Sequence, residues 1–100
     1  MIRHIVSWEF ADGFTPEENR EHAQKVKELL EALHDCVPGI SRLKVITQPM
    51  EGTTRADVIL DSLYADKASL DAYQVHPSHV EAGKYIRTVL KNRCCLDFEE

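Results

Sequence analysis

Few side chains in this chain can move a proton near neutral pH, and two of its five histidines fall in one short segment, Tyr73-Gln74-Val75-His76-Pro77-Ser78-His79. Free histidine titrates near ~6.5, so it can take up or release a proton at working pH. Pro77 suits a first helical position, which makes His79 the third residue of a helix. The positive end of the helix dipole disfavours an imidazolium there and keeps the ring neutral, able to accept a proton. Tyr73 lies one turn before the break, where it could donate a hydrogen bond to a developing enolate or hold the imidazole in place. His4, inward on a first strand, could meet the same space from below. On this reading His79 is a candidate base and Tyr73 its partner, with His4, Trp8 and His76 as candidate ligand-binding residues.

The same residues admit a second reading. A His-Pro-x-His turn can be a structural corner, in which His76 bonds one backbone group and His79 another. Tyr73 then packs its ring and gives its hydroxyl to a carbonyl. Trp8 fits a core or interface position better than a ligand shelf. Of the two clustered histidines, His79 reads as the functional one and His76 as the structural one.

Thiol chemistry is less promising. The three cysteines are Cys36, Cys94 and Cys95, an odd set without the spacing of a disulfide framework. They read as reduced thiols in a cytoplasmic protein. Adjacent strand residues point to opposite faces, so Cys94 and Cys95 do not share one metal, and Cys36 is distant. No metal and no cofactor are expected from the side chains.

The elements that must position these groups follow from periodicity. Ile2, His4, Val6, Trp8 and Phe10 share one parity of a first strand, ended by Asp12-Gly13. Thr15-Pro16-Glu17-Glu18 starts a helix with a capping box. Val26, Leu29, Leu30, Leu33 and Val37 give that helix an apolar stripe running to Pro38-Gly39. A second strand spans Ile40 to Gln48 and a third spans Asp57 to Tyr64, with an aperiodic loop between. Asp66 caps a short helix carrying Leu70 and Tyr73, which breaks at His76-Pro77. The next helix turns Val80, Gly83, Ile86, Val89 and Leu90 inward, and a last strand spans Arg93 to Glu99. The order β-α-β-β-α-β, with the second helix split, is the ferredoxin-like split βαβ arrangement of an α+β domain. The other strand parity is also partly apolar, at Ile5, Ile46, Ile59 and Cys95 or their neighbours. A bare sheet face of that kind asks for a cover, and a second copy of the chain is the simplest one.

One hundred residues, 43% hydrophobic and 29% charged, suit one globular domain over residues 1–100. A chain of this length buries only about 60–70% of its unfolded surface, so a partner surface would add stability. Twelve basic against seventeen acidic residues give a net charge of −5, which offers no footprint for nucleic acid. No segment approaches the ~20 apolar residues of a membrane span.

Three stretches resemble one known family. They are Met1-Ile2-Arg3-His4-Ile5-Val6, the helix end Val37-Pro38-Gly39-Ile40, and Leu70 to Val80 with its Tyr-x-x-His-Pro-x-His core. Together with Leu96-Asp97-Phe98 they are similar to the stress-responsive dimeric A/B barrel proteins. The resemblance implies a ferredoxin-like fold that dimerises sheet to sheet into a shared barrel. For activity it implies little, because most members are small proteins without an assigned reaction. One member type, similar to olivetolic acid cyclase, closes a linear poly-β-keto thioester by aldol condensation. Its base and its assisting tyrosine match His79 and Tyr73, and a first-strand histidine matches His4. It carries a third-strand histidine where this chain has Val58, so the chemistry here need not be identical. Some relatives hold a divalent cation on carbonyls at the end of the first helix, which here are those around His34, Val37 and Ile40. Two functions follow as expectations: a homodimeric module holding a small apolar or phenolic ligand, or a cofactor-free enzyme using His79 and Tyr73. Oxygenases share the dimeric barrel, but no residue pattern here asks for that chemistry.

Overall fold

Strand alternation and four capping signals account for most of the architecture. The computed structural model describes all 100 residues. In chain order the elements are β1 (Ile2–Phe10), α1 (Pro16–Glu31), α2 (Leu33–Cys36), β2 (Ile40–Ile46), β3 (Val58–Tyr64), α3 (Lys67–Val75), α4 (Pro77–Val89) and β4 (Leu90–Glu99). The four strands form one antiparallel sheet in the order β2-β3-β1-β4, and the helices lie across one face. This is the ferredoxin-like α+β fold.

The helices α1, α3 and α4 each begin where the sequence supplies a cap. The Thr15 hydroxyl accepts from the Glu18 amide at 3.1 Å, and the Glu18 carboxylate accepts from the Thr15 amide at 2.9 Å. The Asp66 carboxylate accepts from the Ser69 amide at 2.8 Å and starts α3. At the break into α4, His76 is the cap and Pro77 holds the first position. Gly39 ends the α1–α2 run with a φ of 89°, a left-handed value that glycine adopts without strain. The α1 helix is also tied to the edge strand β2, where the Val45 amide donates to Glu31 and the Val45 carbonyl accepts from Lys27. Those side chains occupy backbone groups that an edge strand would otherwise leave free.

Even residues of β1 and β3 face the helices. Val6, Trp8, Val58, Leu60 and Tyr64 pack there with Val26, Leu30, Leu70, Tyr73, Ala82 and Ile86 into one core. Six expectations need adjustment. The first helix breaks at Ala32 into α1 and α2, the second strand stops at Ile46, and the last strand starts earlier, at Leu90. Asp57 precedes β3, because its carboxylate turns back to accept from the Phe10 amide at 2.8 Å. Val80 faces outward at 45% exposure, and Ala82 takes the inward place. On the other face stand Ile5, Ile46, Ile59, Leu63, Leu96 and Phe98, with Leu96 58% and Phe98 46% exposed. Cys95 is not among them: it pairs with Val6 and so lies on the helix side, while Cys94 takes the open side.

Candidate functional site

Four rings from four elements meet at the end of the sheet beneath α3 and α4. His4 comes from β1, Tyr64 from the end of β3, Tyr73 from α3 and His79 from α4. The Tyr73 and His79 rings are 4.4 Å apart between centroids, and Tyr64 and Tyr73 are 5.2 Å apart. His4 meets both tyrosines edge-on, at 6.1 and 6.3 Å. His4, Tyr64 and Tyr73 are buried, with 1% or less of their surface exposed.

The register of β1 brings a further group to this place. His4 lies opposite Asp97 on β4, and its Nδ1 is in close contact with the Asp97 carboxylate. Cys95, on the same face, approaches His4 Nδ1 at 3.7 Å and Asp97 at 3.5 Å. Burial raises the Asp97 carboxyl, but hydrogen bonds from His4 and Cys95 and the charges of His4 and Arg93 outweigh it, so the group is held below the usual carboxylate range. Burial, reinforced by the Asp97 charge, pushes the Cys95 thiol up. Ser62, buried on β3, fixes the strand beneath by donating its hydroxyl to the His4 carbonyl at 2.8 Å.

The tautomer of His79 follows from its neighbours. Its Nδ1 is 3.1 Å from the Gln74 carbonyl, which can only accept, so Nδ1 carries the proton and Nε2 of the neutral ring is left with a free lone pair. Burial lowers the His79 pKa, opposed by the Gln74 hydrogen bond and aided by the charges of His4, Arg93 and His76. The ring therefore stays neutral at pH 7, ready to accept a proton.

The tyrosine hydroxyls are the unusual feature. Both are buried and neither has a hydrogen-bond partner in the protein. Burial pushes the Tyr64 hydroxyl up to about 12 and, with Tyr64 beside it, pushes that of Tyr73 higher still. Both are therefore protonated at neutral pH; the two hydroxyls lie near one another, and Tyr64 near Ser62, without the geometry of a formed hydrogen bond.

His76 and Trp8 stand apart from this cluster in role or place. His76 Nδ1 accepts from the Ser78 amide at 3.1 Å, so its ring caps α4. Trp8 is four strand positions from His4 and 7% exposed, and it borders a separate cleft of about 240 Å³ with Ile86, Arg87 and Arg93. Val58 pairs with Trp8, at that same remote end of the sheet. Five clefts of about 240 to 720 Å³ lie along α1, between α1 and α4, on the open sheet face and beside Trp8, and none of these five is lined by the four rings. The sequence reading missed Tyr64, Cys95 and Asp97. Parity already placed Tyr64 inward, but only the β1–β4 register joins Asp97 and Cys95 to His4.

The family model of the stress responsive A/B barrel domain matches residues 2–100. The chain belongs to this family. No curated protein matches it. Among solved structures, the A/B barrel chain is similar to a dimeric ferredoxin-like protein of unknown function from Bacteroides fragilis. The two are 28% identical with a TM-score of 0.89, over 99% of this chain and 95% of that one. Dimeric ferredoxin-like proteins of unknown function from Thermobifida fusca and from Jannaschia share the fold at 23% identity. Their TM-scores are 0.82 and 0.80, covering 99% of this chain in both cases and 90% and 98% of theirs.

Proposed function

We propose that this A/B barrel protein is a homodimer joined through its open sheet face, and that each copy binds a small apolar ligand through a carbonyl or phenolic oxygen at His4, Tyr64, Tyr73 and His79. The two buried, partnerless tyrosine hydroxyls carry the ligand reading. A poorly satisfied buried donor costs about 1–3 kcal/mol, so an oxygen placed to accept from both hydroxyls is favoured over the contacts they make with each other and with Ser62. The stacked ring faces of Tyr64, Tyr73 and His79 around them suit an aromatic body. Entry is from the β4 edge, where Cys95 and Asp97 are exposed, and it requires α3 and α4 to part slightly at the His76-Pro77 break. The dimer rests on the exposed apolar face and on the dimeric relatives.

A second reading has its own observation, the free Nε2 of a neutral His79. A carbonyl held by two tyrosine donors has a stabilised enolate, and a base beside it can remove the adjacent proton. That is the proton transfer of a cofactor-free cyclase or a related enzyme, with His79 as base and Tyr73 as donor.

Both readings are tested with two probes. 4-Nitrophenol, whose absorption shifts when its oxygen accepts hydrogen bonds, should bind the parent and bind at least about tenfold more weakly in Tyr73→Phe, the loss of a bond worth ~1.4 kcal/mol or more. Equal binding in parent and variant would remove the ligand reading. Deuterium uptake from solvent into acetylacetone should exceed the buffer rate and fall to it in His79→Gln; uptake unchanged by that substitution would remove the catalytic reading.

A further inference from the structure

We propose that His4, Cys95 and Asp97 form a three-ligand site for one divalent transition-metal ion of the zinc class, at the β4 edge of the sheet. The site shares His4 with the proposed ligand cluster and lies at its β4-edge entrance, but it is argued from Cys95 and Asp97 and not from the tyrosines.

The strand register builds the site. His4 on β1 faces Asp97 directly, and Cys95 precedes Asp97 by two residues, on the same face. Directly opposed residues bring their Cβ atoms within about 4.5–5.5 Å, and the diagonal neighbour remains in reach. His4 Nδ1, Cys95 Sγ and an Asp97 oxygen consequently lie within 4.8 Å of one another.

The spacing matches a tetrahedral ion. Bonds of about 2.3 Å to sulfur and about 2.0–2.2 Å to nitrogen and oxygen give ligand-to-ligand edges of about 3.4–3.6 Å. The nitrogen–sulfur edge is 3.7 Å and the sulfur–oxygen edge 3.5 Å. Only the edge between His4 and Asp97 must lengthen, from hydrogen-bond contact to about 3.4 Å. Asp97 is exposed and can turn to do so, while buried His4 stays fixed. Imidazole, thiolate and carboxylate together suit zinc or cobalt better than magnesium or calcium, which take oxygen. A fourth position would face solvent, since Cys95 and Asp97 are both exposed.

Binding balances simply. The Cys95 thiol releases its proton to solvent, and Asp97 is already a carboxylate. The proton that His4 Nδ1 shares with Asp97 in the free protein is given up to solvent as the neutral ring is reprotonated at Nε2, which frees Nδ1 for the ion. Thiolate and carboxylate bring two negative charges, which attract a dication despite Arg93 nearby. Cys94 points to the opposite face and takes no part.

Cobalt(II) titration of the reduced, chelator-treated protein tests the site. One equivalent should produce a thiolate-to-cobalt charge-transfer band and the intense visible bands of a four-coordinate ion, and added zinc should bleach both. Cys95→Ser should abolish the charge-transfer band, Asp97→Asn should weaken binding at least tenfold, and Cys94→Ser and Cys36→Ser should leave it unchanged. Circular dichroism on each variant confirms that the fold is intact. The site is overturned if no charge-transfer band forms, if the band survives Cys95→Ser, or if it disappears in Cys94→Ser or Cys36→Ser. Unaltered affinity in Asp97→Asn would likewise overturn a three-ligand site.

Discussion

At the scale of single residues, His79 and Tyr73 were legible because their positions are local. Pro77 places His79 in the first turn of a helix, and the sequence alone then argues for a neutral ring. In the fold, burial is the first cause of the lowered His79 pKa. This fixes the sign of a pH effect. The folded pKa lies below the unfolded value of about 6.5, so the contribution is fully present above that pH and is lost as pH falls through the folded pKa. The groups acting on His79 are His4 from β1, His76 and the Gln74 carbonyl at the helix break, and Arg93 from β4. Urea unfolding followed from pH 7 to 5 should show a flatter loss of stability in His79→Gln than in the parent. Parallel curves would contradict a depressed pKa. The partners of His4 were not legible, because Asp97 is ninety-three residues away and only strand pairing joins them.

At the scale of elements, the sequence carried most of the information. Capping residues, Pro77 and the period-2 strands are local signals, and each has its counterpart in the structure. What was not legible depended on neighbours. Ala32 offers no signal for the break between α1 and α2, and Asp57 leaves β3 only because the Phe10 amide is within reach. The Val80 and Ala82 exchange reflects the rotation of α4 about its axis, which a short stripe fixes poorly. Gly39 combines local and distant demands. Its φ is 89°, and an added Cβ would lie 2.7 Å from the Ser69 hydroxyl oxygen on α3. Gly39→Ala should therefore cost more than the roughly 1 kcal/mol of a left-handed alanine, read as a lower urea midpoint with an unchanged slope. A neutral effect would mean that the α2–β2 turn and α3 are not held together as described.

At the scale of the whole molecule, the open sheet face and the binding cluster lie on opposite sides of the same strands. Alternation predicted an apolar second face; the register exchanged Cys95 for Leu63, Leu96 and Phe98 in it. If that face joins two copies, Leu96→Glu with Phe98→Glu should convert the dimer to monomer in sedimentation, because two carboxylates would be buried without partners. A dimer that survives both changes would place the interface elsewhere. The binding claim is also read on the whole molecule, through its unfolding. Urea denaturation of the parent and of Tyr73→Phe, each with and without 4-nitrophenol, tests it most directly. A hydroxyl reserved for a ligand contributes nothing to the free protein. Tyr73→Phe should then be as stable as the parent or up to about 1–3 kcal/mol more stable, and only the parent should gain stability from 4-nitrophenol. A variant destabilised by about 1 kcal/mol or more, with 4-nitrophenol stabilising neither protein, would show that the hydroxyl serves the fold and that the cluster is a structural corner.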